Sequence, residues 1–92
     1  MRLDLFLKTS RLIPRRSLAQ EFCDKGLIMV NGASGKSSKE VKAGDEIEIR
    51  RRDRVTKIRI LQIPATKQVS KDSAGDLYQL IEEELVESDP LI

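Results

Sequence analysis

Histidine and tryptophan are missing from this 92-residue chain, cysteine occurs once, and only Phe6, Phe22 and Tyr78 are aromatic. Without histidine there is no Cys/His zinc site and no Ser–His or Cys–His nucleophile pair. With one cysteine an intramolecular disulfide is impossible, and Cys23, on an apolar stripe, reads as a small core residue. Long apolar runs are missing as well: nothing approaches the ~20 residues that would span a bilayer. Arg2, Asp4, Lys8 and Arg11 interrupt the first thirteen residues, so no secretory signal is expected there. These absences favour a small cytoplasmic domain with no membrane association, no cofactor and no room for a catalytic cleft.

Charge is what the chain has in abundance, and it is unevenly spread. Residues 1–63 hold fifteen Lys/Arg against eight Asp/Glu, a net of +7. Residues 64–92 hold two against seven, a net of −5. A basic body with an acidic tail points to a polyanionic partner; solvated faces of opposite sign are the plainer alternative.

Local patterning gives an α+β fold: two short N-terminal helices on a small, mostly antiparallel sheet, followed by an acidic helix. Leu3, Phe6 and Leu7 share one helical face. Asp4 precedes Lys8 by four residues, the favourable orientation for a helical ion pair, and Pro14 ends this helix by about Leu12. Ser17 and Gln20 form a capping box opening a second helix. Leu18, Ala19, Phe22 and Cys23 supply its buried stripe, and Gly26 suits its left-handed C-terminal stop. Asn31-Gly32 is a hairpin-turn signal after Leu27–Val30. Ala33–Lys39 reads as a flexible basic loop, Val41–Asp45 as a turn, and Glu46–Arg50 and Val55–Ile63 as strands. The reading divides the chain into a domain over 1–63, a linker over 64–73, an acidic amphipathic helix over 74–87 and a frayed tail over 88–92. Leu77, Leu80, Ile81 and Leu85 recur at helical spacing. They serve either to complete a small core or to contact a protein partner.

Arg2, Lys8, Arg11, Arg15 and Arg16 cluster at the first helix, the turn and the start of the second helix. Arginine suits phosphate because its planar fork holds two oxygens at once. Lys36, Ser38 and Lys39 are placed to reach the same backbone. Phe6 and Phe22 are expected in the core, which leaves no base-stacking platform. The partner is therefore expected to be folded RNA read by shape and backbone. A DNA-binding helix-turn-helix is disfavoured, since beyond Gln20 the second helix has no exposed set of base-reading side chains. Arg50, Arg51, Arg52 and Arg54 are either a solvated turn or a second phosphate contact.

The order Met-Arg-Leu-Asp-x-Phe-Leu, Arg-Arg-Ser-x-Ala, Gly26, Val-Asn-Gly, Lys-x-Ser and Val-x-x-Gly-Asp resembles the alpha-L RNA-binding domain of the ribosomal protein S-four type, from Arg2 to about Ile60. The domain standing nearly alone, with an Asp76–Glu84 tail, is similar to the RqcP (YabO) family and more distantly to the heat-shock protein fifteen family. That resemblance implies an RNA face at Arg2, Arg11, Arg15, Arg16, Ser17, Gln20, Lys36 and Ser38, with Arg2 and Arg16 foremost. It implies a monomeric, non-enzymatic factor on the large ribosomal subunit, touching ribosomal RNA and peptidyl-tRNA. There it supports C-terminal tailing of a stalled chain by an RqcH-like factor. A large-subunit assembly or recycling factor is the alternative, and the binding module of an RNA-modifying enzyme a more distant one.

Overall fold

The computed structural model describes residues 1–64 and 71–85, with side chains in the second stretch from Ser73 onward. Most of the expected linker over 64–73, the end of the expected helix and the frayed tail at 88–92 lie outside these residues. Helix α1 (Leu3–Thr9) and helix α2 (Arg16–Asp24) come first. Strands β1 (Ile28–Val30), β2 (Ala33–Ser34), β3 (Glu46–Arg50) and β4 (Arg54–Ile60) follow. After the one-turn helix α3 (Lys71–Ala74) and a 3-10 turn at Gly75–Leu77 comes strand β5 (Tyr78–Leu85). All pairings are antiparallel, in the order β2-β1-β3-β4-β5. The α+β architecture is therefore as expected.

Several local signals act as the sequence implied. Gly26 takes φ +73°; its N–H donates to Cys23 O at 3.0 Å and that of Leu27 to Phe22 O at 2.9 Å. This Schellman closure reverses the chain into β1. Asn31 (φ 51°) and Gly32 (φ 84°) form the two-residue turn between Val30 and its partner Ala33, the left-handed pair that matches strand twist. In β3 and β4, alternation buries Ile47, Ile49, Ile58 and Ile60. These pack under Leu3, Phe6, Leu7 and Ile13 from the helical layer. Cys23 joins that core, where burial, with Asp4 and Asp24 adding to it, pushes its thiol up to about 11. The thiol is protonated at neutral pH, which fits an inert packing residue.

Three expectations are corrected. The acidic helix over 74–87 is not formed: only Lys71–Ala74 is α-helical, and Tyr78–Leu85 is a strand along β4. Without β5, strand β4 would present a row of unpaired N–H and C=O groups. The acidic sequence supplies the partner: Lys57 stands opposite Glu82, and Thr56 donates to a Glu83 carboxylate oxygen at 3.1 Å. Ile81 is the extra residue of a bulge between the Lys57–Glu82 and Ile58–Leu80 pairs. Of the residues at helical spacing only Leu77 is buried; Leu80, Ile81 and Leu85 are exposed. The helical period was real but was not the one the backbone obeys.

The capping box is also absent. Helix α2 opens two residues earlier, with Arg15 at the cap and no side-chain cap bond, and the Gln20 amide nitrogen donates to Asp4 instead. The basic loop, finally, is fastened rather than flexible. The N–H of Leu3 donates to Lys39 O at 2.8 Å and that of Asp4 to Ser37 O at 3.1 Å. Helix α1 has no side-chain cap, so the loop carbonyls satisfy donors that every helix start leaves open. Gly35 permits this close approach. A Cβ there would lie 2.8 Å from Leu3 Cδ2 and 2.9 Å from Val30 Cγ2. Gly35→Ala is therefore expected to cost about 1–3 kcal/mol through overpacking, read as a lowered Tm; an unchanged Tm would mean the loop is not held against α1.

Candidate nucleic-acid interface

The basic residues at the start of α1 and α2 are organised by one buried acid. Asp4 is fully buried, and three polar side chains converge on its carboxylate. Arg2 reaches it through Nε at 3.3 Å, Arg16 through Nε at 3.2 Å and Gln20 through Nε2 at 2.8 Å. The N–H of Leu5 donates to Oδ1 at 2.8 Å, the oxygen that Arg2 Nε also faces, while Arg16 and Gln20 share Oδ2. The expected Asp4–Lys8 pair is thus replaced by a hub joining both helices. Burial by itself would push the Asp4 carboxyl up. The hydrogen bonds from Gln20, Arg16 and the Leu5 N–H, with the Arg16 charge, outweigh it and hold the group below the ordinary carboxylate range.

The consequence for the arginines is orientation. Their side chains remain 46% (Arg2) and 40% (Arg16) exposed, and Arg16 spends only Nε on the hub. Its terminal nitrogens remain for an external acceptor. A guanidinium fixed in this way loses less side-chain entropy on binding than a free one. The fastened loop sets Lys36, Ser38 and Lys39, all exposed, beside the start of α1. An antiparallel backbone β-bridge between Arg2 and Glu40 holds the end of the loop.

Not every expected site residue joins this group. Arg15 and Ser17 are exposed at the start of α2. Lys8 and Arg11 stand at the opposite end of α1, and Arg11 has left-handed backbone at φ 63°. The Arg50–Arg54 run separates by role. Arg51 bonds Leu12 O at 2.7 Å and Thr56 Oγ1 at 3.2 Å, tying the α1–α2 turn to the sheet. Burial lowers its pKa, and the neighbouring Arg54 charge adds to the effect. Arg50 pairs with Glu48 at 2.8 Å. Arg51 is a clamp, a role its sequence context did not signal.

Comparison with known proteins identifies the domain that carries the hub residues. An S4 domain model matches residues 1–47, which include α1, α2 and the fastened loop. The RQC P-site tRNA stabilizing factor of Bacillus subtilis is 42% identical over 84 residues, 91% of this chain and 95% of that protein. Its counterpart in Halalkalibacterium halodurans is 46% identical, over 91% of this chain and 93% of the other. The chain belongs to the RQC P-site tRNA stabilizing factor family. Heat shock protein 15 of Vibrio cholerae, solved as a trimer, superposes with a TM-score of 0.79 at 32% identity. That likeness covers 88% of this chain and 81% of the Vibrio protein. For this family member, β5 belongs to the sheet that supports the S4 domain. Among the described residues no helix is long and apolar enough to cross a membrane.

Proposed function

We propose that this family member acts in ribosome-associated quality control by binding a large ribosomal subunit obstructed by peptidyl-tRNA. It holds the tRNA and ribosomal RNA together while an RqcH-like partner extends the stalled chain. The contact surface is formed by Arg2, Arg15, Arg16, Ser17, Gln20, Lys36, Ser38 and Lys39, with Lys8 and Arg11 extending it. The protein works by binding alone, as a cytoplasmic monomer without a cofactor. The observation that carries this reading is the Asp4 hub, which holds two partly exposed arginines ready for phosphate beside a basic loop. Membership of a family named for P-site tRNA stabilisation supports the same conclusion.

Arg16→Ala is expected to weaken binding to purified large subunits about 10- to 100-fold, the worth of one or two charge-assisted hydrogen bonds. The fold should persist, since Arg2, Gln20 and the Leu5 N–H still serve Asp4. Affinity of the parent chain should also fall steeply between ~50 and ~200 mM salt as counterions are released. Pull-down from cells, with and without nuclease, provides the functional test. Co-purification of large-subunit RNA, tRNA and a tailing factor, lost in Arg16→Ala, is the expected result. Ribosomal RNA without tRNA or tailing factor would indicate assembly or recycling, and no ribosomal RNA would overturn the proposal.

A further inference from the structure

Between the α1–α2 turn and the outer end of the β4–β5 pair lies a cavity of about 270 Å³. Arg11, Arg51 and Arg54 line it together with one carboxylate, Glu83. Positive charge therefore predominates. Arg51 is committed to Leu12 O and Thr56 Oγ1, but the Nε of Arg54 is buried with no hydrogen-bond partner among the described residues. A buried donor left unpaired is costly, and three arginines around one space favour an anion. The remaining lining is Leu12, Leu80, the half-buried Tyr78 and Thr56, whose hydroxyl accepts from Arg51 and donates to Glu83. Tyr78 is the one aromatic residue that neither helix carries. Its place in β5 rather than in a helix brings it opposite Ile60 at the cavity's edge.

An anion attached to a flat, partly apolar body with hydrogen-bond donors on its rim matches this lining, and a nucleotide has that chemistry. Arg11 belongs to the interface proposed above, so the cavity continues that surface. We propose that it receives one unstacked nucleotide of the bound RNA: phosphate at Arg11 and Arg54, base against Tyr78 and Leu80, and a base amino group donating to Glu83. The inference rests on the RNA-binding reading. Extruded bases in RNA loops and bulges are commonly held on aromatic and arginine side chains, and a carboxylate accepts from the cytosine amino group.

The test is an NMR titration of the full chain with CMP, UMP and inorganic phosphate, following the Arg54 Nε–H and Tyr78 ring signals. CMP is expected to shift both saturably, with UMP weaker by about tenfold for lack of the amino donor. Phosphate alone should shift the arginine signal but leave the ring in place. Glu83→Gln should abolish the preference for CMP over UMP while preserving the phosphate response. A Tyr78 ring unmoved by CMP, or identical shifts from CMP and phosphate, would overturn the nucleotide site. Equal CMP and UMP affinities would overturn the role of Glu83. Arg16→Ala lies outside the cavity and should keep the CMP response. Failure of the parent chain to bind large subunits, with an intact CMP response, would count against the proposed function, not against the cavity's capacity for a nucleotide.

Discussion

Asp4→Ala is expected to damage stability and binding together, lowering the unfolding free energy by about 2–4 kcal/mol. In a domain of this size that is a fall in Tm on the order of 10–20 °C. The substitution removes the acceptor for Arg2, Arg16, Gln20 and the Leu5 N–H at once. The arginines retreat to solvent at small cost because they are partly exposed. Most of the loss comes from the orphaned Leu5 and Gln20 donors and from the broken tie between α1 and α2. Measured at a temperature where the variant remains folded, its affinity for large subunits should fall further than that of Arg16→Ala, since both guanidinia lose their orientation. Parental Tm and parental affinity in the variant would show that the hub positions nothing.

The same hub sets an acid limit on stability. The folded carboxyl lies below its ordinary value, so its contribution is fully present above the unfolded pKa of about 4. It is lost as pH falls through the lower folded value, because protonation removes the charge that both arginines face. Asp4→Ala should therefore have a flatter stability profile than the parent below about pH 4. Parallel profiles for the two proteins would assign the acid limb to other carboxylates.

Truncation after residue 70 is expected to have the larger effect on the fold, abolishing cooperative unfolding or leaving an aggregating chain. Strand β5 pairs along the full length of β4, from Arg54–Leu85 to Ile60–Tyr78. Its preceding turn places Leu77 in the core, and Leu61 donates its N–H to Leu77 O at 2.8 Å. Removing it would expose β4 as a bare edge and uncover one side of Ile58 and Ile60, in a domain with little core to spare. Leu85→Ala provides the contrast. That side chain is exposed, and its loss should change stability by less than about 0.5 kcal/mol. A truncated chain that unfolded cooperatively at the parental Tm would mean β5 is an appendage.

Both experiments turn on contacts between residues far apart in the chain, and there the limits of sequence reading are visible. Gly26, Asn31-Gly32 and the alternating isoleucines of β3 and β4 were legible because each signal is local: a left-handed stop, a two-residue turn, a period of two. Gln20 was assigned to its own helix cap because Ser17 stands three residues before it. In the fold its amide nitrogen donates instead to Asp4, sixteen residues upstream. The 36–39 loop, small and polar, carried the composition of a flexible segment. Only the open donors of α1, together with the missing Cβ of Gly35, explain why it is fastened.

By itself the sequence determined the basic, cysteine-poor, histidine-free character of the protein, its two helices and central strands, and which arginines stand near the helix starts. The tertiary structure decided that Asp4 gathers Arg2, Arg16 and Gln20 into one surface, that Arg51 clamps the turn to the sheet, and that the acidic segment is a strand. The physical reason is common to all three. Helical spacing and charge describe what a segment can do alone, whereas buried donors and open strand edges take whichever partner the folded chain brings within reach. At Tyr78–Leu85 the unpaired edge of β4 outweighed the helical period.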